Sequence, residues 1–199
     1  MKDSQVEELL YQALETELGG VEIYKTALRC ATNTDLREEW KKYLEETENH
    51  VRIVKDVFSQ LGLDESNETP GRSVVRHKGE ALVKAMEMAL QSGDKMAAQL
   101  VAAECVVEAE TKDHANWELI GEVADEDKGD RKKVLAEAYE QVEEEEDEHL
   151  YHTMGWAREL WMESLGMTAV LPPPEEQKKV KTAIGASRAA QARDEMTSE

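Results

Sequence analysis

Apolar residues along this chain recur at three- and four-residue steps, and the alternating pattern of strands is nearly absent. Helix formers (Ala, Glu, Leu, Lys, Met) dominate. The pattern predicts four long helices and a shorter one. The first runs from about 3 to 32 and the second from about 35 to 61, with Asp35 as its cap and Gly62 as its stop. A polar connection over 63–76 contains Pro70-Gly71, read as a turn. A short helix over 77–91 follows. The third long helix spans 94–124, capped by Asp94, and the fourth spans 131–165 and ends at Gly166. Two tight antiparallel pairs joined by one long crossover predict an all-α, antiparallel four-helix bundle with a short extra helix. The bundle is expected over residues 1–168. Beyond it the pattern decays at Leu171-Pro172-Pro173-Pro174, and 169–199 reads as a flexible tail.

Polar residues break each core stripe. In the first helix, Val6, Leu10, Leu14, Val21, Tyr24 and Leu28 define a stripe with Glu17 at its centre. In the second, Thr47 and His50 fall among Leu36, Trp40, Leu44, Val51, Val54 and Phe58. In the fourth, Glu146 and His149 interrupt a stripe running from Leu135 to Leu160. They form a Glu-x-x-His pair on one face. Their neighbours in the run 143–148 mostly face outward. The third helix is apolar on several sides. The favoured register turns Leu100, Ala103, Val107, Glu110, His114 and Trp117 inward; a second register turns Glu104, Glu108 and Thr111 inward instead.

A lone carboxylate inside a bundle is costly to ionise without a cation or donor. Here every long helix offers at least one metal-capable side chain, carboxylate or imidazole, at matching distances from its loop. The candidate metal ligands are Glu17, His50, Glu110, His114, Glu146 and His149, with Glu46, Glu104 and Glu108 in second rank. Carboxylates mixed with imidazoles suit iron or manganese, and zinc is compatible. The bland alternative is a helical scaffold in which these groups satisfy one another.

Charge and cysteine usage narrow the partners. The 199 residues carry a formal net charge of −20, which repels phosphate backbones and attracts cations. No nucleic-acid partner is expected. No apolar run is long enough to cross a bilayer, and the first residues lack a secretory pattern. Only Cys30 and Cys105 are present, which excludes a disulfide framework and fits a reducing, cytoplasmic setting. No Cys-x-x-Cys pair occurs, so a rubredoxin-type iron site on this chain is excluded. Apolar residues beyond one stripe of the third long helix (Ala98, Ala102, Cys105, Ala109, Ile120) suggest a homodimer.

Four segments carry a resemblance to a known superfamily. They are Glu17-Leu-Gly-Gly-Val-Glu-Ile-Tyr24, Leu44-Glu-Glu-Thr-Glu-Asn-His-Val51, the run from Val101 to His114, and Glu146-Asp-Glu-His149. Over about residues 5–165 the chain resembles the ferritin-like superfamily, near rubrerythrin, bacterioferritin and the small bacterial stress-type proteins. The resemblance implies a dinuclear iron site with one Glu from each of two helices and Glu-x-x-His from the other two. By that match Glu17, His50, Glu110, Glu146 and His149 are ligands. It further implies oxidation of ferrous iron by dioxygen or hydrogen peroxide, in iron handling or oxidative-stress defence. The chain departs from the pattern at Thr47, where the second helix should supply a carboxylate. Glu46 or His114 could replace it, and a mononuclear or altered dinuclear site stays open, as does a non-catalytic binding or storage role. The segment Lys181-Thr-Ala-Ile-Gly-Ala-Ser-Arg188 faintly resembles a docking peptide of nanocompartment cargo; a plain solubilising tail is the alternative.

Overall fold

The computed structural model describes residues 1–197, and its regular structure is helical throughout. The helices are α1 (Asp3–Cys30), α2 (Thr34–Leu61), α3 (Pro70–Gln91), α4 (Lys95–Glu126), α5 (Asp130–Ser164), α6 (Pro174–Gln177) and α7 (Ala183–Met196). Helices α1, α2, α5 and α4 pack in a closed ring that resembles a four-helix bundle. Three further helices lie outside the ring: α3 rests on α1 and α4, while α6 and α7 rest on α5.

Local chemistry fixes the helix ends. α1 stops at Cys30, and α2 begins after Asn33, whose Oδ1 accepts from Leu36 N (3.1 Å). Asn33, not Asp35, is therefore the cap. The buried Gln99 holds this turn from across the bundle. Its Oε1 accepts from Thr32 N and Asn33 N, each at 2.7 Å. Gly62 closes α2 at φ +69, a left-handed conformation that favours glycine. Asp94 caps α4 as expected, accepting from Met96 N and Ala97 N at 3.0 Å.

The short helix starts seven residues earlier than expected. Pro70-Gly71 is not a turn. Thr69 Oγ1 caps Arg72 N at 3.1 Å, and Pro70 takes the first helical position, where a missing N–H costs nothing. The extra residues carry Arg72 inward to Glu15.

The segment beyond residue 168 also differs from expectation. Glu175 is buried and accepts two bonds from the Arg158 guanidinium (2.6 and 2.8 Å). Glu159 is fully buried, and accepts from Arg158 Nε, Arg193 Nε and Val170 N. Gly155 permits this docking, because a Cβ there would stand 2.5 Å from Glu175 Oε2. Among the described residues, the supposed tail is thus packed structure held by buried ion pairs.

The core is two clusters rather than one. Tyr24, Leu36, Trp40, Tyr43, Met86, Val106 and Trp156 fill one end. Leu10, Leu14, Phe58, Trp117, Leu135 and Val142 fill the other. Burying each of these large side chains contributes about 1.5–3 kcal/mol. Ala98, Ala102, Cys105 and Ala109, read as a dimer face, belong to the first cluster with Met86 of α3, and Ile120 to the second. That surface is covered within the chain. Among the described residues, no helix is long and apolar enough to cross a membrane.

Candidate metal centre

Between the two apolar clusters lies a polar waist. On α1, Glu17 follows Leu14 of one cluster and precedes Ile23 of the other. His50 on α2, Glu110 and Asp113 on α4, and Glu146 and His149 on α5 occupy the equivalent gaps. All six are buried, and Glu17, His50 and His149 have no measurable exposure.

The six side chains converge. His50, Glu146 and His149 offer ligand atoms that all lie within 4.8 Å of one another. Glu17, Asp113 and Glu146 form a second such group, so Glu146 is common to both. Its Oε1 stands 3.0 Å from His50 Nδ1 and 3.6 Å from His149 Nδ1. Glu110 Oε2 is 3.6 Å from His149 Nδ1, and Glu17 Oε1 is 3.7 Å from His50 Nδ1.

Each inner atom nevertheless lacks a hydrogen bond. Glu17 Oε2, His50 Nδ1, Glu110 Oε2, Asp113 Oδ1, Glu146 Oε2 and His149 Nδ1 are all buried without a partner. Each such group costs about 1–3 kcal/mol, and more when charged. One such atom from each of six neighbouring residues is an arrangement able to hold a cation. Four carboxylates and two neutral imidazoles would balance two divalent ions.

The outer atoms, by contrast, are held. His50 Nε2 bonds Glu145 Oε2 at 2.8 Å, and His149 Nε2 bonds Glu46 Oε2 at 3.0 Å. Each carboxylate orients its ring so that Nδ1 faces inward, the usual support for a metal-bound histidine. Tyr43 packs on His149 with centroids 4.2 Å apart. Trp117 Nε1 donates to Glu17 Oε1 at 2.7 Å, leaving Oε2 free. The Tyr24 hydroxyl is buried without a partner; burial, and then Glu110, push it well above the usual phenol range.

The electrostatics carry the same message. Burial, reinforced by Asp113 and Glu146, pushes the Glu17 carboxyl well above its usual range. Burial with Glu146 and Glu110 does so for Asp113. Burial disfavours a charged imidazole, but Glu110 and Glu46 outweigh it at His149, which rises to about 10. At His50, Glu145 and Glu146 likewise outweigh burial and raise the ring. All four shifts run in the direction that favours the protonated form.

Glu17, His50, Glu110, Glu146 and His149 thus lie together, while His114 lies apart. Its Nε2 bonds Asp147 Oδ1 at 2.8 Å, outside the cluster. Asp113 takes the inward place on α4. Ala103, Glu110 and Trp117 face inward as the favoured register has them, but Val106 and Asp113 are buried in place of Val107 and His114. Glu110-x-x-Asp113 repeats the spacing of Glu146-x-x-His149, a signal the sequence does contain. Glu104 and Glu108 are exposed, and Glu104 accepts from Trp161 Nε1. Glu46 reaches the site only through His149.

Thr47 is no ligand. It donates back to Tyr43 O at 2.8 Å, and its methyl fills space against Gly20, where a Cβ would meet it at 3.2 Å. The carboxylate missing from α2 has its counterpart in Asp113 on α4. The chain matches no protein-family model, no curated protein and no solved structure. The two buried clusters, consistent with a ferritin-like dinuclear site, therefore rest on this chain's own residues.

Proposed function

We propose that the protein is a ferritin-like metal-handling protein that holds two iron ions, or manganese, across the waist of its bundle. In this reading it oxidises ferrous iron with dioxygen or hydrogen peroxide. One observation carries the proposal: six ligand atoms from four helices meet at one level with no hydrogen-bond partner. Hard carboxylates with two imidazoles favour iron and manganese over softer metals.

The residues divide the work. Glu146, common to both ligand groups, would help to hold the metal in either. His50 and His149 present Nδ1, steadied by Glu145 and Glu46. Glu17 and Asp113 would hold metal with Glu146, and Glu110 would add a carboxylate beside His149. Tyr24 holds a proton on its hydroxyl oxygen beside Glu110. A bound pair of ferrous ions would supply two electrons to an oxidant. The apolar clusters above and below exclude water from that exchange.

A second reading is a binding or storage module without turnover. Thr47 favours it, because the carboxylate balance is shifted toward α4. Anaerobic loading with ferrous iron, elemental analysis and an oxygen electrode separate the two. The proposal expects two equivalents bound and sustained oxygen uptake as iron is added. Stoichiometric binding without uptake supports the storage module. Glu146→Ala, which removes the shared ligand, is expected to lose both equivalents. Unchanged metal content in that variant removes the assignment.

A further inference from the structure

A cavity of about 230 Å³ opens on the α4–α5 face of the bundle. Its charged wall is His114, Glu118, Glu143 and Asp147. Its inner wall includes Glu146, the ligand common to both clusters, buried and with Oε2 unpartnered. Thr182 and Ala183, where the chain enters α7, form part of its rim. His114 bridges the wall, with Nε2 2.8 Å from Asp147 Oδ1 and Nδ1 3.8 Å from Glu118 Oε2.

We propose that this cavity is the route by which a divalent cation reaches the centre, with His114 and Asp147 as its transit ligands. The inference rests on the metal-centre reading above and adds to it a path and two residues that act on rate. Three features converge. The cavity joins the surface to Glu146, a ligand of the centre. Its wall is anionic, and among the described residues none of its carboxylates pairs with a Lys or Arg. Carboxylates in a walled cleft raise the local cation concentration, and such focusing speeds association roughly ten- to a thousandfold. Finally, a His–Asp pair can hold a partly hydrated ion loosely and release it to Glu146, which lines the same cavity.

The probe is divalent cobalt, which is stable in air and coloured when bound. Stopped-flow mixing gives the rate of loading, and the final absorbance gives the amount bound. The double variant H114A/D147N is expected to load roughly tenfold slower or more, with the amount unchanged. Ala183→Trp tests the path without touching a charged residue. Ala183 is exposed, so folding is unaffected, and an indole there narrows the mouth. It too is expected to slow loading without changing the amount. Wild-type rates in both variants overturn the route while the centre stands. A reduced amount at unchanged rate makes His114 and Asp147 true ligands, and also overturns it. A wild-type protein that binds no cobalt removes the centre and the route together.

Discussion

Glu15 and Glu17 stand two residues apart on α1, and both are buried. Their surroundings could hardly differ more. Glu15 Oε2 accepts from Arg72 Nε at 2.7 Å and from Arg76 Nη2 at 3.0 Å, and Oε1 accepts from Arg76 Nε at 2.7 Å. Burial alone would raise its pKa, but the two guanidinium groups outweigh it and hold the carboxyl below its usual range. Glu17 meets carboxylates and a neutral indole, and its pKa moves the opposite way. The first acid brings its own counter-charge on α3. The second, among the described residues, has no Lys or Arg beside it. Burial by itself therefore says little about function; the sign and source of the neutralising charge say much more.

The largest effect should come from exchanging the two. Arg72→Ala removes the buried one of Glu15's two guanidinium partners and leaves it two of three hydrogen bonds. It is expected to cost about 3 kcal/mol of unfolding free energy in urea titrations. Metal content should not change. Glu17→Gln is expected to do the reverse. Gln keeps an acceptor for Trp117 Nε1 and removes a buried acid that has no cation. The metal-free protein should be at least as stable as wild type, while one equivalent of metal is lost. If both variants destabilise equally, the two acids are alike and the contrast fails.

This contrast also shows what the sequence could carry. Helical phase placed Glu17, His50, Glu146 and His149 inside because each interrupts an otherwise apolar stripe. Matching distances from the loops put them at one height, and that height is the gap between the two apolar clusters. Phase was weakest on α4, where small apolar residues cover several sides. There a rotation of one residue exchanged Asp113 for His114. The partner of Glu15 was not visible, because Pro70-Gly71 suits a turn and a helix start equally, and only tertiary contact with α1 decides. Residues beyond 168 misled for a similar reason. Their composition is that of a solvated tail, but Arg158, Glu159, Glu175 and Arg193 meet only once the chain has folded back.

Solution pH sharpens the comparison. Glu15 has a lowered pKa when folded, so the unfolded chain binds more protons as pH drops below about 4.5. Its contribution is present above that range and is lost as pH falls. Glu39 acts likewise. Burial is outweighed there by hydrogen bonds from His152, Glu176, Tyr43 and Trp156, and its pKa falls to about 2. Glu17 and Asp113 have raised pKa values, so in the metal-free protein the folded state binds more protons above the usual carboxylate range. Stability from that region is complete at low pH and declines as pH rises. His149 extends the decline toward about 10. Urea midpoints of metal-free protein should therefore fall on both sides of an optimum. Saturating metal should flatten the alkaline side only, because bound cations replace the protons. A metal effect confined to the acid side would show that the ionised centre was already compensated.

The smallest effect isolates the ion-pair region from the centre altogether. Thr69 Oγ1 caps α3 through Arg72 N, and the same residue's side chain reaches Glu15. Thr69→Ala removes the cap while keeping every charge, and a lost cap costs about 1 kcal/mol. The first turn of α3 should fray, loosening Arg72 more than Arg76, which lies a turn further on. Thermal unfolding should report that cost, with metal content and loading rate unchanged. The two buried acids would then behave as separate devices on one helix. Glu15 fastens α3 to the bundle, and its failure is felt as stability. Glu17 faces the waist, and its failure is felt as lost metal. Loss of metal in Thr69→Ala would mean that α3 also shapes the centre through α1, and the separation drawn from their partners would not hold.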